Sequence, residues 1–308
     1  MIYLYQMLGI TKQAHFKHRV RLAGKQLAAQ QALTASASIR KSHPMMGCRK
    51  MYHMVGDDLP IGRDRFERIL LEHGFRVRFP RNYVKTTRPV KGRYFDNLIQ
   101  GLKLTGINQL WQSDIAYIKV GGGHCYLVFI VDVYSRRIIG YQAHPRMLAR
   151  ANIKALKQAL KLRGVDQLPG LIHHSDRGGQ FIDKDYLKAL RKAGITSSMA
   201  KHCWENAYAE RVNGIAKNEY LRRMDLTSLR QLRTKLKRVV FLYNNERPHD
   251  SLPGKRTPVD YEKCLRNASI IPKQMTIYDP ELSTYQQLST KEKRSKKEKS
   301  TSSTLNNK

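Results

Sequence analysis

Three acids sit where acids are costly. Asp114 interrupts the apolar run "QLWQSDIAYI", Asp176 ends "GLIHHSD", and Glu210 lies in "ENAYAERVNGIAKNEY". The chain carries 57 Lys+Arg against 24 Asp+Glu, so an acid meant only for a salt bridge could stand almost anywhere. Aspartate is disfavoured inside a strand. A buried carboxylate must be paired, hydrogen-bonded or metal-bound, or it is neutralised. Three hard carboxylate oxygens with open positions suit Mg²⁺, with Mn²⁺ as a substitute. Ions held in this way can activate an attacking oxygen and stabilise a leaving one in an in-line displacement.

Each acid also has a plain structural reading. Asp176 could cap a turn or pair with the adjacent Arg177, and Glu210-Arg211 could be solvated helix surface. Asp132, in "FIVDVYSRR", could be a ligand or could cap the Tyr134-Ser135 turn. Spacing alone does not choose between them. On a helix through Glu210, Asn206, Asn213 and Lys217 fall within about 60° of the acid, with Lys217 about 10 Å of rise away. A lysine so placed would meet a phosphate backbone. Asn213 and Arg177 are the further candidate DNA contacts.

The elements that must position these residues come next. "QLWQSDIAYIKV" (109–120), "HCYLVFIVDVYS" (124–135) and "RRIIGYQAH" (136–144) are rich in β-branched and aromatic residues and predict three antiparallel strands. A helix follows over about 149–162, ending at Gly164. "GLIHHS" predicts a short buried strand, 183–193 a helix and "ITSSMA" another short strand. Two long helices are expected over 205–224 and 228–244. Strands first, then alternating strand and helix, imply an α/β mixed sheet covered by helices.

Residues 1–80 read as helical and polar. "LGITKQAHFKHRV" predicts a turn and a helix, with Gly9 as breaker and Thr11 as N-cap. "CRKMYHMVGDDLPIGRDRFERILLEHG" suggests a second such unit, with Phe66, Ile69 and Leu70 at helical spacing and Gly74 as the stop. Two short basic helix pairs suggest helix-turn-helix DNA binding, although any small helical bundle shows the same spacing. Residues 81–104 read as a basic linker, and 266–308 as an extension that becomes a disordered basic tail from about residue 284.

A formal net charge of +33 and a pI near 10.2 create a field that attracts polyanions, above all nucleic acid. No apolar run approaches the roughly 18 residues of a membrane span. The start, "MIYLYQMLGITKQ", lacks a signal peptide's pattern, so a cytoplasmic, nucleoid-associated protein is expected. Four scattered cysteines contain no CxxC pair, which argues against a disulfide frame and a zinc site. The absence of a G-x-x-x-x-G-K-[ST] pattern excludes P-loop nucleotide hydrolysis.

Five ordered pieces carry a resemblance: "WQSDIAYI", "YLVFIVDVYSRRIIGY", "HHSDRGGQF", "WENAYAERVNGIAKNEYL" and "YNNERPHDSLPGKRTPVDY". Together they resemble the insertion-sequence transposases, in particular the OrfB-type catalytic protein with a core similar to retroviral integrase. The resemblance covers about residues 105–262, and 1–80 more weakly. It implies a ribonuclease-H-like core over 105–265 with Asp114, Asp176 and Glu210 as an Asp-Asp-Glu metal triad. It matches Lys217 to the basic residue that follows the Glu, and it places Asp132 outside the metal set. It further implies DNA strand cleavage and transfer at an element's terminal inverted repeats into target DNA, by a homo-oligomer on DNA. An upstream OrfA-type partner or frameshift fusion would accompany it. The alternatives are an inactive DNA-binding repressor or transposon remnant, and a nuclease that only hydrolyses.

Overall fold

The computed structural model describes residues 5, 7, 9–78 and 94–278. Most of the expected basic linker, and the expected tail from about residue 284, lie outside the described residues. The chain forms two compact units. One comprises Met1–Val84, Ile215–Asp225 and Arg238–Thr257, the other Lys85–Gly214, Leu226–Lys237 and Pro258–Lys308. The stretch 105–265 is therefore shared between them.

The first unit is helical. α1 spans Lys12–Ser42, and Thr11 caps it by accepting the Ala14 N–H at 3.0 Å. The expectation of two short helix pairs is half met. α1 is one continuous 31-residue helix, because the alanine-rich run 28–37 favours helix and no proline interrupts it. α2 (Cys48–Val55) and α3 (Arg63–Glu72) then form a short pair. Ala28 and Ala32 of α1 pack with Met51, Phe66, Ile69 and Leu70 in one apolar cluster. Gly74 follows α3 with a positive φ of 80°, as the stop signal implied.

The second unit holds the sheet. β2 (Leu110–Val120), β3 (Gly123–Asp132) and β4 (Ile138–His144) form an antiparallel meander, as expected. β5 (Ile172–Ser175) pairs parallel with β2, and β6 (Thr196–Met199) parallel with β5. The order is β4-β3-β2-β5-β6, so β2 is central and carries one antiparallel and one parallel neighbour. A small pair, β1 (Lys103–Leu104) with β7 (Met275–Thr276), stands apart. The expected mixed sheet flanked by helices is thus formed.

α4 (Ala149–Arg163) and α5 (Lys184–Lys192) cover one face, burying Ala155, Leu156, Ala159, Tyr186 and Leu190 against Trp111, Val128 and Ile130. Gly140 makes this close packing feasible, since a Cβ there would meet the Ala155 carbonyl oxygen at 2.3 Å. α6 (Ala207–Gly214) follows a 3-10 turn at Cys203–Asn206, α7 spans Leu229–Asn245, and α8 spans Pro258–Arg266.

Candidate active site

The central strand and its parallel neighbour bring two of the acids side by side. Ser113 of β2 is in register with Ser175 of β5, so Asp114 and Asp176 each stand one step beyond that pair. This is the edge at which ligands bind in open α/β sheets. Ser113 pays for its buried place by donating to the Phe129 carbonyl at 2.9 Å. Asp176 opens the turn after β5 and accepts the Gly178 N–H at 3.1 Å. A Cβ on Gly178 would stand 3.0 Å from that same carboxylate oxygen, which accounts for a glycine there.

Glu210 arrives from α6, an exposed residue on a helix fastened to β2. Gln112, fully buried, makes the fastening. Its Oε1 accepts the N–H groups of Tyr208 (3.1 Å) and Ala209 (3.4 Å), and its Nε2 donates to the Glu205 carbonyl at 3.1 Å. Asn206 donates to the Ser113 carbonyl at 3.0 Å, and Asn213 to Asp114 Oδ2 at 2.6 Å. Three amide side chains therefore stitch the Glu210 helix to the Asp114 strand. Asn206 and Asn213 stood out in the sequence on the Glu210 face. Gln112 did not, although a glutamine inside an apolar strand, two residues before an aspartate, was a readable signal.

The electrostatics tie the three acids together. Burial raises the Asp114 carboxyl, and the nearby Asp176 and Glu210 charges add to this, against the Asn213 hydrogen bond, to reach about 7. Burial raises Asp176, opposed by the Gly178 N–H. Glu210 is raised by partial burial and by the Asp176 charge. No ion pair among the described residues includes any of the three. As they stand, no three His, Cys, Asp or Glu side chains among the described residues are gathered closely enough to hold a metal ion. What fits a cation is the donor chemistry: three carboxylates without a basic counterion among the described residues.

Other candidates go elsewhere. Asp132 accepts the Ser135 N–H at 3.0 Å and the Asn108 N–H at 2.7 Å, and pairs with Arg163 at 3.1 Å, so it caps its turn. Arg177 does not pair with Asp176, and its guanidinium lies 4.7 Å from the Tyr94 ring centre. Asn213 is buried and spends its amide on Asp114. α6 ends at Gly214, and Lys217 sits on a π-helical turn over Ile215–Tyr220 in the first unit. The 3.6-residue period used to align Lys217 with Glu210 therefore stops short of it.

The comparisons with known proteins show the family. Two models described as integrase core domain match residues 105–202 and 193–258. The first includes Asp114 and Asp176, the second Glu210. The "Insertion element IS600 uncharacterized 31 kDa protein" of Shigella sonnei is 31% identical over 228 residues, covering 70% of this chain and 81% of that protein. The chain belongs to the insertion-sequence transposases with an integrase core. The transposase for insertion sequence element IS629 of Shigella sonnei is 27% identical, over 73% of this chain and 76% of that protein. The putative transposase for IS986/IS6110 of Mycobacterium tuberculosis is 29% identical, over 59% and 68%. The HTLV-2 integrase catalytic core domain in complex with magnesium is 21% identical, with a TM-score of 0.41, covering 54% of this chain and 98% of that one.

Proposed function

We propose that this transposase cleaves and joins DNA strands at the ends of its insertion element, with Asp114, Asp176 and Glu210 as the catalytic carboxylates. The observation that carries the reading is the placement of Asp114 and Asp176 one step beyond a paired register on adjacent parallel strands, with Glu210 held to the same strand by Gln112. The three would hold Mg²⁺, or Mn²⁺ in its place. Such an ion, when bound, supplies activation of the attacking oxygen and stabilisation of the leaving one. The chain's own contribution is to bring three carboxylates to one edge of the sheet, without an ion-pair partner among the described residues. Gln112 and Asn206 fix the helix. Asn213 restrains the Asp114 carboxyl, and a cation would compete with it for Oδ2.

On this reading residues 105–265 contain the core, and 1–80 take part in DNA binding with the charge of +33 behind them. Partners are the terminal inverted repeats, target DNA, further copies of the chain on DNA, and an upstream OrfA-type protein or fusion. No helix among the described residues is long and apolar enough to cross a membrane, and the reading places the protein in the cytoplasm, at the nucleoid. The test is Asp176→Asn assayed on DNA carrying the element's ends. Cleavage and joining should vanish while a gel shift with the same DNA is unchanged. An active Asp176→Asn protein would remove the metal-site reading.

A further inference from the structure

The segment that leads into the Glu210 helix displays an aromatic stack. The rings of His202 and Trp204 lie parallel, 4.2 Å between centroids and 6° between planes. Trp204 is 54% exposed, whereas Trp111 is fully buried. His202 and Lys201 are exposed as well. An indole left in water forgoes burial worth some kcal/mol, so its display calls for a cause.

The display is also held rigidly. The N–H groups of Lys201 and His202 both donate to the Glu205 carboxylate, the second at 2.8 Å. The Glu205 carbonyl accepts from Gln112, and Asn206 donates to the Ser113 carbonyl. The segment carrying Trp204 is thus tied to the strand that carries Asp114. Nothing in these bonds needs an indole at position 204, because they are made by backbone groups and by Glu205 and Asn206.

We propose that Trp204, backed by His202, is a stacking platform for an unpaired base of the DNA strand bound at the three-acid site. The inference rests on the proposed strand-cleaving function. A strand to be cut or joined presents an end there, and a frayed end has unstacked bases that gain a new partner on a flat ring. Every base has a π-face, so the platform is indifferent to sequence. Lys201 adds a cation for the backbone beside it.

The chain has two tryptophans, and only Trp204 is accessible to DNA, so its fluorescence reports on the contact. The experiment titrates the full-length protein, in chelator and without metal, with closed duplexes and with duplexes bearing a few unpaired terminal nucleotides. Unpaired ends should quench the emission and closed ends should not. Trp204→Ala should weaken binding to unpaired ends by about tenfold and to closed duplex by less than about twofold. Trp204→Phe should keep most of the affinity, because a phenyl ring still stacks, and both variants should melt like the parent. Equal quenching by both DNAs, or an equal loss on both in Trp204→Ala, would overturn the platform. Arms with the element's end sequence and with random sequence tell whether the base comes from the element or from target DNA; quenching specific to unpaired ends in either arm supports the proposal. Because metal is absent throughout, an active Asp176→Asn protein would remove the metal-site reading and leave the quenching result standing.

Discussion

Two acid clusters lie in the sheet-bearing unit, and the protein treats them in opposite ways. Asp132 and Glu262 are fully buried and wrapped in cations. Arg163 bonds both, Arg137 bonds Glu262, the Ser135 hydroxyl donates to Glu262 at 2.7 Å, and the Ser135 N–H donates to Asp132. Burial would raise Glu262, but the hydrogen bonds and charge of Arg163, with Arg137, outweigh it and hold its carboxyl below the ordinary value; at Asp132 burial outweighs Arg163 and the carboxyl is raised. Among the described residues, Asp114, Asp176 and Glu210 are hydrogen-bonded by an amide and backbone N–H groups and by no arginine or lysine, and all three are raised. In a chain with more than twice as many bases as acids, three acids without an arginine or lysine partner among the described residues are an arrangement that folding alone would not favour. The paired cluster closes its own charge; under the proposed function the unpaired acids take a cation from outside.

The sharpest break of this contrast is in activity. Asp176→Asn should take strand cleavage to the assay background, whereas Glu262→Gln should leave activity measurable wherever the protein stays folded. Comparable activity in the two variants would erase the distinction.

Stability should divide them the other way. Arg163→Met leaves the buried Asp132 without a cation and Glu262 with Arg137 alone, and should cost about 3–5 kcal/mol, read by urea unfolding. Asp176→Asn without metal should keep or slightly raise the melting temperature, since one mutually repelling charge is gone. Added Mg²⁺ should then stabilise the parent and not the variant. A neutral Arg163→Met would mean that the paired cluster matters little to the fold.

The pH dependences contributed by Asp114 and Glu262 should have opposite signs. Asp114 is raised from an ordinary 3.8 to about 7, so the folded protein holds its proton over that window. The stability it contributes is complete below pH 3.8 and is lost as pH rises through about 7, a fall of at most roughly 4 kcal/mol. Glu262 is lowered, so its contribution is complete above its ordinary value of 4.5 and is lost as pH falls through its folded value. Metal-free unfolding across pH should show both limbs. Asp114→Asn should flatten the first limb and Glu262→Gln the second. A parent curve flat between pH 4 and 7 would contradict the raised carboxyl.

Smaller effects probe the stitching. Gln112→Leu leaves the Tyr208 and Ala209 N–H groups and the Glu205 carbonyl short of partners, costing about 1–3 kcal/mol. It should also raise the Mg²⁺ concentration needed for half-maximal cleavage. An unchanged metal requirement would make Gln112 a plain core residue. Lys217→Ala should lower the slope of log affinity against log salt by about one unit. An unchanged slope would remove Lys217 from the DNA.

Much of this was legible in the sequence because it depends on local pattern. The β-branched and aromatic run "CYLVFIVDV" set β3, Thr11 capped its helix, and Gly164 ended α4, since strand composition and helix termini are written in nearest neighbours. Asp114 and Asp176 were readable as anomalies because an acid in an apolar run needs a reason. What neighbours could not supply was partnership. Asp132 and Asp176 both follow apolar strands, yet only the tertiary structure gives one Arg163 and withholds an arginine from the other. Gln112 was readable as a polar residue in an apolar strand, but its partners lie over 90 residues away, on the Cys203–Asn206 turn and α6. Lys217 was aligned with Glu210 by a period that the π-helical turn interrupts. The sequence by itself determined which acids were out of place; the packing of β2, β5 and α6 decided which of them lack a counterion, because the field at a carboxylate is made by groups distant along the chain.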